Sequence, residues 1–449
     1  MGGQMINRTK VKKLALVAVA VALLSVAAGA GAWRASAAQV GNDYESIELF
    51  TDVLSMVKKS YVEEVDTKKL IYGAINGMLA SLDPHSSFMS PEMYKEMKIE
   101  TKGAFGGLGI EITIKDGLLT VISPIEDTPA FRAGIKAGDH ILKIDDKYTK
   151  DLTTMEAVKR MRGTKGTKVV LTIMREGFEK PKEFPLVRDV IQVKSVKFKT
   201  LDEGYGYIRI AQFQEKTDDD LEKALKTLRD SNGGALRGLV LDLRNDPGGL
   251  LDQAVKVSEH FVDEGKLIVY TEGREKDSKM KFTSRATVKE PHYPIVVLIN
   301  SGSASASEIV AGALQDHKRA VVMGTQSFGK GSVQTIIPLS DNSGLRLTTA
   351  RYFTPNGRSI QAKGITPDIV VESKELTQSQ TKQDGMHIRE KDLENHFESE
   401  GGKQPVEEKT DTKLPAYKTD ELIKNDYQLL RGLDLLKGWE ILKSVITAG

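Results

Sequence analysis

The sequence predicts a multidomain α/β protein with helical N- and C-terminal regions. Two patterns indicate this fold class. Between residues 191 and 372, near-continuous apolar runs alternate with helical stretches, as expected for parallel strands buried on both faces of a sheet. Residues 95–190 instead contain several short strands and two short helices, which is typical of a small β-rich module. The length of 449 residues accommodates about three domains.

Composition excludes several classes of function. Lys+Arg number 64 and Asp+Glu 62, so the net charge of +2 gives no footprint for binding nucleic acid. The absence of cysteine excludes disulfides, thiolate zinc sites and a cysteine nucleophile. The 7 histidines show no metal-binding spacing, and we expect neither a metal nor another cofactor.

Residues 1–37 have the pattern of an export signal. Basic residues precede an apolar run over 14–30, which is followed by Ala35-Ser36-Ala37, a cleavage-site pattern. A retained anchor is the alternative, because 17 apolar or small residues barely span a bilayer. Both interpretations predict a periplasmic or extracytoplasmic protein, with the inner membrane contacted only through this segment if it is retained.

Residues 40–94 are predicted to form an N-terminal helical region. Apolar residues recur there at steps of three and four between Ile47 and Val57. The region ends in a turn around Pro84. We interpret His85, beside that turn, as a structural residue.

The β-rich module over 95–190 contains a glycine turn, Gly107-Leu108-Gly109-Ile110, that opens a strand. Such a turn can expose consecutive backbone N–H groups to a terminal carboxylate, and the strand edge that follows can pair with an extended peptide. A simple glycine hairpin is the alternative. The order of elements, including GDHILKID at 138–145, resembles a bacterial PDZ domain, and this resemblance implies that residues 107–110 bind a peptide C-terminus.

A serine-rich motif follows a buried strand in the domain over 191–372. Ser305 lies in the string NSGSASASE (300–308), where a strand gives way to a helix. A serine at the positive end of a helix is suited to a nucleophile whose attack creates an oxyanion. The alternative is a helix cap, because Ser305-x-x-Glu308 is also a capping box.

A lysine between two glycines is the second motif, in SFGKGSVQ (327–334). The glycines let neighbouring groups approach the amine of Lys330. If this segment is a strand, Lys330 and Gln334 lie on one face, and the glutamine can hold the amine without adding charge. A lysine acts as a general base only if burial lowers its pKa. A solvated lysine in a glycine loop is the alternative.

A third motif, LRNDPGG (243–249), also follows a buried strand. The backbone N–H of Gly248 or Gly249, together with that of Ala306, can form a two-donor oxyanion hole. A tight strand-to-helix turn is the alternative, and both interpretations can hold together.

These three motifs and the module before them resemble the carboxyl-terminal processing (tail-specific) serine proteases over residues 44–372. The resemblance implies a ClpP/crotonase-like catalytic sheet with an inserted PDZ domain. It further implies a Ser305 nucleophile, a Lys330 base, a lysine-positioning Gln334 and an oxyanion hole from Ala306 with Gly248 or Gly249. Asp316 occupies the position of a family acidic residue and is interpreted as structural. A triad with His317 is disfavoured, since that residue lies about 18 Å along the helix from Ser305.

The implied activity is that of an endopeptidase that takes proteins with accessible apolar C-termini, captured by the PDZ domain through strand addition. An activator or adaptor protein and a homo-oligomer are further expected partners. Two alternatives remain: a catalytically silent PDZ scaffold, and an acyl-CoA enzyme of the crotonase type, which export disfavours. The remaining regions are a polar linker over 373–414 and a helical region over 415–449, whose apolar face must be covered by the protein body or by a second subunit.

Overall fold

The computed structural model describes residues 44–373, apart from residues 116, 126, 151, 203 and 287–289, and residues 426–448. The export segment predicted over 1–37 and nearly all of the predicted linker lie outside these residues. The chain divides into two units, residues 1–78 and 79–449. Within the described ranges, none of the helices combines the length and apolar character needed to cross a bilayer.

Two helices, α1 (44–60) and α2 (Thr67–Ala80), account for the helical periodicity near the N-terminus. The turn predicted around Pro84 follows them. It is held by the buried carboxylate of Asp83, which accepts hydrogen bonds from the backbone N–H of His85 and of Ser86, both at 2.8 Å. The turn leads into a short strand, β1 (Ser87–Met89), and a helix, α3 (Pro91–Lys102).

The β-rich module is a twisted antiparallel sheet with two short helices, α4 (Pro129–Arg132) and α5 (Thr154–Met161). Its strands run in the order β3-β4-β5-β7-β8, with β6 paired to β5, so β3 is an edge strand. A separate pair, β2 with β9, joins the entry and exit of the module. The strands are β2 (Ala104–Gly107), β3 (Ile110–Lys115), β4 (Leu118–Pro124), β5 (His140–Ile144), β6 (Lys147–Tyr148), β7 (Lys168–Met174), β8 (Lys182–Val187) and β9 (Asp189–Gln192).

The domain that follows contains a six-stranded sheet in the order β10-β11-β12-β15-β16-β19, parallel except for β10. Every residue of β12 and β15 is buried, as their apolar runs predict. The strands of this sheet are β10 (Val196–Thr200), β11 (Tyr205–Ile210), β12 (Gly238–Asp242), β15 (Ile295–Ile299), β16 (Val321–Gly324) and β19 (Ile369–Val370).

Helices cover both faces of this sheet. Side chains alternate along each strand, so neighbouring residues of one strand pack against helices on opposite faces. Leu239 and Leu241 of β12 contribute to the core that includes α6 (Thr217–Ser231), α7 (Leu251–Glu259) and α8 (Ala306–Asp316). Val240 faces the other way, toward the C-terminal helix α9 (Tyr427–Ala448). The first part of the apolar face predicted for the C-terminal region is therefore covered by the body of the protein, through Leu429, Leu433 and Leu436, whereas Trp439 and Leu442 further along stay exposed.

A second sheet of five strands adjoins this domain. Its longest strand, β18, pairs with β1 and β13 along one edge and with β17 along the other, while β14 pairs with β13. Residues from before the β-rich module are thus built into the domain that follows it. The strands not yet given are β13 (Leu267–Gly273), β14 (Lys281–Thr283), β17 (Ser332–Pro338) and β18 (Gly344–Phe353).

Candidate active site

The three predicted motifs follow three neighbouring parallel strands, β12, β15 and β16, and their loops are joined by backbone hydrogen bonds. The N–H of Ala304 donates to the carbonyl of Asp246 at 3.0 Å, and the N–H of Phe328 donates to the carbonyl of Ser303 at 3.0 Å. Because the carboxyl ends of parallel strands meet at one edge of a sheet, motifs about 25 to 80 residues apart come together at one site.

Ser305 occupies a strained position immediately before α8. Its backbone has φ 55° and ψ −109°, a conformation that non-glycine residues rarely adopt. Such a conformation costs on the order of 1–3 kcal/mol and persists only where surrounding contacts enforce it. The side chain is 9% exposed, so it lies at the surface edge of an otherwise buried helix start.

A single buried carboxylate, that of Glu308, joins the serine loop to the lysine loop. It accepts hydrogen bonds from the N–H of Ser305 (2.8 Å), the N–H of Gly329 (2.8 Å) and the N–H of Lys330 (2.9 Å), and from Oγ of Ser327 (2.6 Å). Burial raises the pKa of Glu308 to about 7, although these hydrogen bonds act to lower it. The hydrogen bond that a capping box predicts between the N–H of Ser305 and the carboxylate of Glu308 is present, but it is only one of the four hydrogen bonds that this carboxylate accepts.

The sequence predicted Glu308 only as part of a helix cap, and its second role was missed. The available signal was the apolar character of α8 around it, since all residues from Ala306 to Leu314 are buried. A carboxylate in such a segment requires several hydrogen-bond donors.

Lys330 is partly buried and lies just before β17. The next residue, Gly331, makes room for the backbone of Gln361, because a Cβ on Gly331 would lie 2.3 Å from the backbone N of Gln361. The glycine is thus needed for this backbone contact and not, as predicted, for access to the lysine amine. The N–H of Gly331 also donates to Oε1 of Gln361 at 3.0 Å. The segment around residue 361 therefore packs directly against the lysine loop.

Gln334 lies within β17, and its amide nitrogen donates to the carbonyl (3.1 Å) and Oγ (2.8 Å) of Ser332. The strand begins at Ser332, and its register shifts between Val333 and Gln334. Lys330 therefore lies outside the strand, and the alternation of side chains along β17 does not place it on one face with Gln334, in contrast to the prediction from the sequence.

The glycines after β12 contact the start of α8. A Cβ on Gly248 would lie 2.9 Å from the backbone N of Ala306 and 2.9 Å from Cβ of Ser305. The N–H of Gly248 donates to Oδ1 of Asp246 at 2.8 Å, and its carbonyl accepts from the N–H of Phe213 at 2.9 Å. Because that peptide is trans, the N–H of Gly249 points away from Phe213.

Asp246 is fully buried inside this loop. Burial raises the pKa of Asp246 to about 8; the nearby Asp242 also raises it, while Gly248, Ser307 and Arg209 act to lower it. Its Oδ2 has no hydrogen-bond partner among the described residues. The side chain is therefore largely protonated near neutral pH.

In the β-rich module, Gly107-Leu108-Gly109-Ile110 runs from the end of β2 to the start of β3. The carbonyl of Leu108 accepts from the N–H of Ala130 at 3.0 Å, and that of Gly109 accepts from the N–H of Ile125 at 2.9 Å. In trans peptides the N–H lies opposite the carbonyl, so the N–H groups of Gly109 and Ile110 point away from these partners. Two neighbouring donors and an edge strand are thus available to a peptide C-terminus.

Other candidates are structural. Asp316 forms an ion pair with Arg358 and accepts from the N–H of Asn356 at 2.9 Å, as a structural residue should. Nε2 of His317 lies 2.6 Å from the carbonyl of Leu267. The described residues contain no cluster of side chains that could hold a metal ion.

Comparison with known families agrees with this arrangement. Residues 204–371 match peptidase family S41, residues 106–184 match the PDZ domain, and residues 25–93 match the family described as activating protease CtpB N-terminal domain.

Curated relatives extend the match to most of the chain. A carboxy-terminal-processing protease from Bartonella bacilliformis is 50% identical over 87% of this chain and 89% of its own length. The carboxy-terminal processing protease CtpB of Bacillus subtilis is 37% identical over 70% of this chain and 66% of its own. Among solved structures, a photosystem II D1 C-terminal processing protease is 30% identical with a TM-score of 0.42, over 72% of this chain and 92% of its own. On the identity and coverage of the Bartonella bacilliformis relative, the chain belongs to the carboxyl-terminal processing serine proteases of peptidase family S41, with a PDZ domain.

Proposed function

We propose that this protease is an endopeptidase that cleaves peptide bonds with a Ser305–Lys330 dyad and recognises protein C-termini through its PDZ domain. The observation that carries the proposal is the hydrogen bonding of Glu308, which links the backbone of the strained Ser305 to the backbone of Lys330. A carboxylate that fixes both loops suits a two-residue dyad, because a small displacement of the serine or the lysine lowers the reaction rate strongly.

In the proposed mechanism, Oγ of Ser305 attacks the carbonyl carbon of the scissile peptide bond. Neutral Lys330 takes the serine proton and then transfers it to the nitrogen of the leaving amine. Neutral Lys330 then deprotonates a water that attacks the acyl-enzyme, and it returns this proton to Oγ of Ser305 as the bond to the acyl carbon breaks and the product acid leaves. The amide oxygen of Gln334 serves as an acceptor that orients the lysine amine, since its nitrogen donates to Ser332.

The N–H groups of Ala306 and Gly249 stabilise the oxyanion in this proposal. Ala306 is the first residue of α8, and N–H groups in the first helical turn have no partner within the helix. We favour Gly249 over Gly248 because the N–H of Gly248 donates to Asp246. The hydrogen bond of Gly248 thus supports Gly249 as the second donor of the proposed oxyanion hole.

Substrates of this protease are proposed to be proteins with accessible apolar C-termini. The carboxylate would bind the N–H groups of Gly109 and Ile110, and the adjoining chain would pair with the edge strand β3. The export pattern over residues 1–37 supports a periplasmic or extracytoplasmic location, with or without a retained anchor. An activator and a homo-oligomer remain proposals, the second testable by sedimentation at working concentration.

The test uses protein lacking residues 1–37 and an unstructured substrate that ends in apolar residues. Wild type should cleave it, and Ser305→Ala and Lys330→Ala should not, although both fold. A wild type that binds the C-terminal peptide, does not cleave and does not react with a serine-directed probe would favour the silent scaffold. Deleting residues 95–188 should lower both the cleavage rate and the preference for C-termini; unchanged values would exclude control by the PDZ domain.

A further inference from the structure

The guanidinium of Arg244 lies at the carboxyl end of β12, where all five of its N–H groups are used. Its side chain is only 11% exposed. It makes two hydrogen bonds to the carboxylate of Asp242 (2.9 and 2.7 Å) and two to that of Asp426 (2.9 and 2.6 Å). The fifth goes to Oε1 of Gln428 at 2.9 Å. Such planar, bidentate pairing fixes the position of the arginine closely.

Arg244 also belongs to the loop after β12 that carries the proposed oxyanion glycines. Two residues later, the carbonyl of Asp246 accepts from the N–H of Ala304 (3.0 Å) and Oγ of Ser307 (2.9 Å), on either side of Ser305. Oδ1 of Asp246 holds the N–H of Gly248. A displacement of Arg244 is therefore transmitted over a few residues to the oxyanion loop and to the serine.

The other side of this cluster belongs to the start of the C-terminal helix. Asp426 caps α9, because its Oδ1 accepts from the N–H of Leu429 at 3.0 Å. Gln428 donates to the carbonyl of Val371 at 2.6 Å. Burial acts to raise the pKa of Asp426, but the hydrogen bonds from Arg244 hold it below its ordinary value, so the pair stays charged.

A second polar anchor holds α9 at the opposite end of the sheet. Glu440 forms an ion pair with Arg237 and accepts from the hydroxyl of Tyr205 at 2.7 Å. These partners lie at the amino ends of β11 and β12, remote from the catalytic loops. The same helix thus carries one largely buried anchor beside the site and a second, more exposed one away from it.

We propose that Asp426 is a positioning residue for catalysis, which acts through Arg244 to hold the oxyanion loop in register with Ser305. The inference rests on the proposed Ser–Lys mechanism. Buried ion pairs contribute little net stability, because desolvation offsets their attraction, so a pair with this geometry is better explained by placement than by stabilisation. The apolar contacts of Leu429, Leu433 and Leu436 already hold α9 on the sheet.

The test compares Asp426→Asn with Glu440→Gln in protein lacking residues 1–37. Asparagine caps helices as well as aspartate does, so the first variant removes the charge and keeps the cap. We expect its kcat to fall about tenfold to a hundredfold with KM within about twofold, as for a displaced oxyanion donor. Labelling of Ser305 by a fluorophosphonate should slow in parallel. Glu440→Gln should lower the urea midpoint and leave kcat unchanged.

Two results would overturn the inference: wild-type kcat in folded Asp426→Asn, or an equal loss of kcat in both variants. If Asp426→Asn does not fold, Gln428→Leu removes one acceptor of Arg244 and should lower kcat about threefold or more with the same KM. Wild type, Ser305→Ala and Lys330→Ala are measured alongside. A failure of the dyad would appear in those three proteins, independently of the comparison between Asp426 and Glu440.

Discussion

Ser305 and Lys330 donate their backbone N–H groups to the same carboxylate oxygen, Oε2 of Glu308, at 2.8 and 2.9 Å. The shared acceptor fixes the spacing of the two loops at the level of the main chain. In the proposed mechanism, this fixed spacing lets the side chains of Ser305 and Lys330 exchange a proton without a prior rearrangement of the two loops.

Glu308→Gln is expected to lower kcat at least tenfold. Glutamine presents one oxygen and one N–H₂ group to four donors, so at least one buried N–H loses its acceptor, at a cost of about 1–3 kcal/mol. Steady-state kinetics and urea unfolding measure the two effects. Ser327→Ala is the control, because it removes one donor to Glu308, and the acceptor of the N–H of Ile365, but leaves the contacts of Glu308 with Ser305 and Lys330. Wild-type kcat in Glu308→Gln would contradict the prediction.

Asp246→Asn is expected to flatten the pH dependence of stability. With a folded-state pKa of about 8, Asp246 keeps its proton in the native state while the unfolded chain loses it above its ordinary pKa of 3.8. Native protein then binds more protons, so wild-type stability falls as pH rises between these values, by a few kcal/mol at most. Urea unfolding at pH 6 and pH 8.5 measures the slope in both proteins; parallel slopes would refute the assignment.

Gly331→Ala is expected to lower both stability and activity. The added methyl group would lie 2.3 Å from the backbone N of Gln361, and backbone cannot move aside as a flexible side chain can. We expect a loss of about 1–3 kcal/mol in the free energy of unfolding. Gly438→Ala on α9 is the matched control: nothing lies within 4 Å of its Cβ, so it should be neutral or stabilising. Equal effects of the two substitutions would count against the packing argument.

Gly109→Ala is expected to weaken binding of peptides with a free C-terminal carboxylate about tenfold or more. Gly109 has φ 76°, and a Cβ there would lie 2.3 Å from Cβ of Thr128, so the donor loop must shift. Gly117→Ala has the same φ of 76° in open space and controls for backbone strain. Titration with a free and an amidated peptide measures the preference; an unchanged preference in Gly109→Ala would remove residues 107–110 from the binding site.

The parallel sheet and its three loops could be predicted because their signals are local. β12 and β15 are near-continuous apolar runs, and the motifs over 243–249 and 300–308 follow them directly. The second sheet could not be predicted, since its pairings join distant residues, such as Ser87 with Arg346. The sequence also does not show that the N–H of Gly248 is already bonded to Asp246. Nor does it show the register shift between Val333 and Gln334, which alters how Gln334 lies relative to Lys330.

The pairing of β1 with β18 has a consequence for how the enzyme is made. β1 is synthesised before the PDZ domain, while β18 and α9 come long after it, so the peptidase fold has a high contact order and cannot close from one contiguous stretch of sequence. A ribosome-bound chain that ends before α9 leaves one face of the parallel sheet bare. The loops that follow β12, β15 and β16 therefore reach their final arrangement only after both the PDZ domain and α9 have been translated.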